Sequence, residues 1–171
     1  VDELGRTDTD DSSASVDVTD RLPVIVVDKT AVVETVAVAP GGPLTYDVTV
    51  HNGTRDAQGN PVVVAYEPIT ITAVTDQMSV DVAGAPEAFT PFGPALDITN
   101  ATAPIVSTTC DTLIGTVLAP YASTTCRFVV DTTSFGVLQA GDVVRNTVAV
   151  TAADDDGNDV ADDDDADRDV V

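Results

Sequence analysis

The chain has 171 residues, 43% hydrophobic but only 4% aromatic, with a formal net charge of −22 and a pI near 4.1. That length supports one sandwich-sized core or two small ones. The charge excludes nucleic-acid phosphate and anionic membrane as direct partners and favours cations.

The apolar content comes mostly from Val and Ala, and Thr is frequent. Val and Thr are stiff at χ1 and suit a pleated surface better than a helix. The ten Pro and eleven Gly are spread along the chain as punctuation. This is an all-β composition. The acids are unevenly placed: 17 of the 29 lie outside Arg21–Ala153. A salt-adapted protein would be expected to spread them over its whole surface, so a halophilic origin is not the simplest reading.

Residues 1–21 are acidic and Ser-rich, with an alternating Ser15–Thr19. They read as a linker or as the last strand of a preceding unit. Leu22-Pro23 opens the body, and Val24–Val27 is its first strand. Ala39–Pro43 (APGGP) is a turn. Leu44–Asn52 (LTYDVTVHN) is the clearest strand. Leu44, Tyr46, Val48 and Val50 point one way, and Thr45, Asp47, Thr49 and His51 the other. Asn52-Gly53 is a turn signal. Further strands are expected over Pro61–Ala65, Pro68–Thr75 and Met78–Val82, with Ile69 and Ile71 inward. Ala83–Pro94 is a loop, from which Ala95–Ile98 rejoins the sheet. Ile105–Thr109, Leu113–Leu118, Thr124–Val130 and Val143–Thr151 complete the set, and Asp131–Gln139 has room for a helical turn. Short, evenly spaced strands with turn signals between them predict an immunoglobulin-like antiparallel β-sandwich of about seven to nine strands over residues 22–153.

Two cysteines, Cys110 and Cys126, sit in similar Ser/Thr surroundings. A disulfide between them is expected, adding about 3 kcal/mol by closing a loop of about 15 residues. Two buried free thiols are the other reading. The lone His51 rules out a four-ligand zinc site of His and Cys, and it has no Ser or Cys arrangement around it. No triad, phosphate loop or defensible carboxylate pair is present, and no enzyme activity is expected.

The acidic end, residues 154–171, holds ten acids between Asp154 and Asp169. Setting Gly5 on Gly157, an offset of 152 (157 − 5), places Asp2 on Asp154, Asp10 and Asp11 on Asp162 and Asp163, and Val18 on Val170. The chain therefore reads as one period of a tandem or polymeric array. Asp154, Asp156, Asp159, Asp162 and Asp164, and the equivalent Asp10 and Asp11, are expected to ligate Ca²⁺ if the loop turns them inward. The competing reading is a hydrated, self-repelling linker.

A covalent possibility attaches to Lys29, the only lysine. It lies on the first strand, Asn146 lies on the last, and Asp76 and Glu67 are acids between them. Some surface β-domains join a strand-borne Lys to Asn or Asp beside a buried carboxyl, which burial makes possible. An ordinary salt bridge or an exposed Lys is the plainer outcome. The sequons at Asn52 and Asn100 are weak signals in so Thr-rich a chain.

The stretches VVDKTA, PGGPLTYDVTVHNGT, PITITAVTDQM and NTVAVTA leading to DDDGNDV resemble the conserved-repeat domain of bacterial and archaeal surface proteins, the domain of unknown function eleven. The resemblance covers roughly residues 22–157. It implies an immunoglobulin-like, non-enzymatic repeat in long, exported, cell-surface proteins. The expected role is a structural repeat of an extracellular filament, stalk or adhesin. Its partners would be neighbouring copies, met through acidic Ca²⁺-responsive junctions. The alternative is a glycan- or protein-binding module using the 83–104 loop, with Phe89 and Phe92 as its contact patch.

Overall fold

The structure, a computed structural model, describes residues 12–16, 21–32, 35–38, 41–58, 61–62, 65, 67–85 and 88–171. Asp10 and Asp11, and most of the alternating Ser15–Thr19 stretch, lie outside them. In chain order the strands are β1 (Ile25–Ala31), β2 (Thr35–Val36), β3 (Pro43–Asn52), β4 (Thr54–Arg55), β5 (Pro61–Val62), β6 (Ile69–Asp81), β7 (Thr90–Pro91), β8 (Ile105–Thr108), β9 (Val117–Leu118), β10 (Ser123–Asp131), β11 (Val143–Ala153) and β12 (Asp159–Val170). One main sheet has the order β1-β3-β10-β8, the other β2-β12-β11-β6-β7 with β9 also on β6, and β4 and β5 form a separate two-stranded ribbon. The pairs are antiparallel except β2 on β12, which is parallel. The molecule is the expected all-β sandwich. Among the described residues it has ten strands in its two layers, because β2, β7 and β9 are two-residue additions.

The alternation in β3 does what a period of two requires. Leu44, Tyr46, Val48 and Val50 are buried between the sheets while their neighbours are half-buried on the outer face. Phe128 and Val130 from β10, and Val144, Val148, Val150 and Ala152 from β11, join them in one core. Each large apolar side chain so buried contributes about 1.5–3 kcal/mol. Cys110, in a single 3-10 turn after β8, is bonded to Cys126 on β10, with Cα atoms 4.9 Å apart. The loop bearing Cys110 is thereby fixed to the core.

Strand β6 differs from expectation in an important way. The two strands anticipated at 68–75 and 78–82 are one strand of 13 residues. Its pairing with β11 steps from Ala73 opposite Thr151 to Ile71 opposite Ala152, leaving Thr72 as an extra residue. Such a bulge flips the side-chain phase. Ile69 and Ile71 face the core before it, and Val74, Asp76 and Met78 face the core after it. The bulge turns the Asp76 carboxyl inward.

The acidic segment 154–171, expected as a Ca²⁺-binding junction beyond the body, is part of the sandwich. Residues 159–170 form β12, paired along its length with β11. Residues 154–158 are the hairpin turn joining them. Gly157 adopts φ +85°, a conformation that Gly takes without steric cost. Asp154 closes the turn: its Oδ1 accepts from the Asn158 N–H at 2.7 Å and its Oδ2 from Asn158 Nδ2 at 2.9 Å. Burial pushes the Asp154 carboxyl up, but these bonds, with those from the Gly157 and Asp156 amides, outweigh it and hold it below the usual carboxylate range.

The carboxylates of β12 do structural work against β1. An edge strand presents outward N–H groups at every second residue. Asp162 Oδ2 accepts from the Val27 N–H at 2.8 Å and Asp164 Oδ2 from the Lys29 N–H at 2.7 Å. Arg168 Nη2 then donates to the Ala31 carbonyl at 2.8 Å. The Asp-x-Asp spacing matches the edge of β1 and closes it with side chains, where a further strand would use backbone.

Candidate functional site

Lys29 lies on the inward face of β1 with Ile25, Val27 and Ala31. Its Nζ is 2.7 Å from Asp76 Oδ1, and both side chains are 0% solvent-accessible. Asp76 comes from β6, in the opposite sheet. Asn146 comes from β11, beside β6, where Met78 is its register partner and Asp76 that of Val148. Asn146 Nδ2 donates to Asp76 Oδ2 and also faces Met78 Sδ at 2.7 Å. One carboxylate therefore holds the lysine amine on one oxygen and the asparagine amide on the other.

Aromatic rings wall the site. Tyr46 of β3 and Phe128 of β10 stack with centroids 5.3 Å apart. Lys29 Nζ lies 4.7 Å from the Tyr46 centroid and 5.2 Å from that of Phe128, within cation–π range. Among the described residues, Asn146 Oδ1 and Tyr46 OH are buried without a hydrogen-bond partner. A buried unpartnered polar atom costs about 1–3 kcal/mol. The asparagine carbonyl is thus held in the core at a cost with no structural return.

Burial dominates the electrostatics. It lowers the Lys29 pKa from 10.5 to about 8, against the opposing pull of Asp76 and weaker pulls from Asp164 and Asp165. Burial raises the Asp76 carboxyl above its usual range, against Lys29 and Asn146. Both partners are pushed toward their neutral forms. The same burial raises the Tyr46 phenol.

Of the residues singled out in the sequence, Lys29, Asp76 and Asn146 meet, and Glu67 does not join them. Of the seven expected Ca²⁺ ligands, Asp10 and Asp11 lie outside the described residues, and the other five are not gathered. Asp154 is committed to its turn, and Asp162 and Asp164 to β1. Asp159 opens β12, whose rise of about 3.3 Å per residue carries its carboxylates apart. Among the described residues, the carboxylates that converge within 4.8 Å of one another are Glu67, Asp155 and Asp156, so Asp156 alone of the described expected ligands takes part. The Asn52 sequon is internal: its Nδ2 donates to the carbonyls of Glu67 at 2.8 Å and Leu118 at 3.0 Å. Phe89 and Phe92 are both engaged within the domain. Arg145 sits 3.9 Å over the Phe89 ring, and Phe92 packs on Phe135 with centroids 5.3 Å apart. Beside this loop a cleft of about 290 Å³ is lined by Leu96, Asp97, Asn100, Pro104 and Ile105, among others.

No family model matches the chain, and no curated protein matches it. Among solved structures the chain is similar to Spo0M, the sporulation control protein of Bacillus subtilis, at 14% sequence identity and a TM-score of 0.49. The match covers 85% of this chain and 49% of that one, so it spans about half the length of Spo0M.

Proposed function

We propose that the chain is a structural repeat of an extracellular surface filament, stalk or adhesin, met end to end by neighbouring copies. The observation that carries this reading is the equivalence of the two ends. Residues 154–170 are a turn and the closing strand of the body, and residues 2–18 repeat their sequence pattern. Residues 2–18 then correspond in sequence to the closing segment of a preceding unit. The described part of that stretch, residues 12–16, is exposed and outside both sheets, as a strand separated from its own body would be. With Val18 equivalent to Val170, six residues (19–24) separate one unit's last strand from the next unit's β1. Six residues reach at most about 20 Å, so successive bodies lie close. A disulfide-pinned sandwich agrees with a structural role.

Calcium enters this reading in reduced form. Glu67, Asp155 and Asp156 each bring one carboxylate oxygen within 4.8 Å of the others' beside the β11–β12 turn, and water would supply the rest of the roughly six to eight oxygens that Ca²⁺ takes. The test is a two-repeat protein studied by small-angle scattering and melting, with Ca²⁺ and with chelator. An elongated particle of two folded bodies is expected, with a Ca²⁺-dependent rise in melting temperature lost in Asp155→Asn/Asp156→Asn. A second unit that does not fold, or a chain that stays a single collapsed body, overturns the array reading. Indifference to Ca²⁺ overturns the cation's part in it.

The cleft beside the 83–104 loop favours a second reading, a glycan- or protein-binding module. Alanine at Asp97 and Asn100 that leaves melting unchanged but abolishes adhesion would support it over the first.

A further inference from the structure

We infer that Lys29 and Asn146 join through a self-formed isopeptide bond between β1 and β11, with Asp76 as the acid–base group. The inference rests on the buried site and not on the array reading. Three observations carry it. The only lysine of the chain is wholly buried, where a charged amine is costly unless paired. Its partner carboxylate also binds an asparagine amide, so nucleophile and electrophile are held by one group. The amide carbonyl has no other partner among the described residues.

The chemistry balances without any co-reactant. Asp76 takes a proton from the Lys29 ammonium, leaving a neutral amine. Burial favours that transfer, since it pushes the amine down and the carboxyl up. The amine lone pair attacks Asn146 Cγ, and the protonated Asp76 donates to the carbonyl oxygen as it gains charge. A half-turn of the amide brings Oδ1 to face Asp76 for this purpose. The tetrahedral centre then collapses. The Cγ–Nδ2 bond breaks as Asp76 shuttles a proton from Nζ to the leaving nitrogen, the carbonyl re-forms by returning its proton to Asp76, and ammonia departs, leaving Asp76 protonated. The products are one secondary amide and one ammonia, and no oxidant or metal is consumed. The tightly packed aromatic wall keeps water from hydrolysing the intermediate. The product removes the buried amine charge and uses the orphaned carbonyl.

The test is intact-mass spectrometry of the full chain after reduction of its disulfide. The expected mass is below the sequence mass by one ammonia. An Asn52–Gly53 succinimide would lose the same mass, so a second measurement separates the two. In the unfolded, reduced chain, Lys29 is expected to resist amine acylation and Lys-specific cleavage, and a branched peptide should carry β1 and β11 residues together. Asn146→Asp is expected to lose one water in place of ammonia. Asp76→Asn is expected to keep its full mass. A wild-type chain at full sequence mass, or with Lys29 freely acylated once unfolded, overturns the inference whether or not the variants fold. A crosslinked Asp76→Asn overturns the part given to Asp76.

Discussion

The double substitution Asp162→Ala/Asp164→Ala removes the two carboxylates that receive the Val27 and Lys29 amides. A hydrogen bond to a charged group contributes about 1.5–3 kcal/mol, and the lower end suits these part-buried bonds, giving about 3 kcal/mol for the pair. For a domain of this size about 2–4 °C is lost per kcal/mol, so the melting temperature falls by roughly 6–12 °C. The proper comparison is Asp163→Ala/Asp169→Ala, which removes the same charge from the exposed face of β12. With a net charge of −22, that control relieves repulsion and is expected to be neutral or slightly stabilising. Urea melts compare the two proteins, and amide exchange reports on Val27 and Lys29, which lose protection only in the first. Equal destabilisation by both pairs, or none by the first, would show that β12 acts through bulk charge and would refute the geometric account.

Replacing Cys110 and Cys126 by Ala is expected to cost about 3 kcal/mol while leaving the sandwich intact; urea midpoints that do not move would contradict this. Asn146→Ala leaves Lys29 a free amine. Its folded pKa of about 8 lies below the 10.5 of the unfolded chain, so between those values the unfolded state holds a proton that the folded state has released. Stability must then rise with pH through that window, relative to Lys29→Met/Asn146→Ala, and a flat difference between the two would refute a buried lysine. Deleting Thr72 removes the bulge and forces residues 73–81 out of phase, so a soluble, cooperatively melting deletion protein would refute the role given to that residue.

Much of this architecture is written locally. Leu44–Asn52 alternates so cleanly that its buried face can be read directly, and the flanking of Cys110 and Cys126 marks their pairing. β12 is harder to read because Asp dominates both faces. The inward signal reduces to Val160, Ala166 and Val170, with Asp162 and Asp164 on the same face serving β1. Composition suggests solvent there, and only the position of β1 explains the acids. The site was legible in its members but not in its geometry. Extending the phase of Ile69 and Ile71 places Asp76 outside, and the extra residue at Thr72 that reverses it leaves no mark in the sequence. Tyr46 and Phe128 read as core residues, and nothing in their spacing announces that they flank an amine.

The offsets Val27–Asp162 and Lys29–Asp164 are both 135 residues, so β1 and β12 run in the same direction. They are also the first and last strands of the body. Tension on the two chain ends therefore drags these strands past each other lengthwise. The contacts of Asp162, Asp164 and Arg168, and the β2–β12 pairing, then bear load together and do not peel one by one. The aspartates that look like a soft tether in the sequence are placed as a shear clamp.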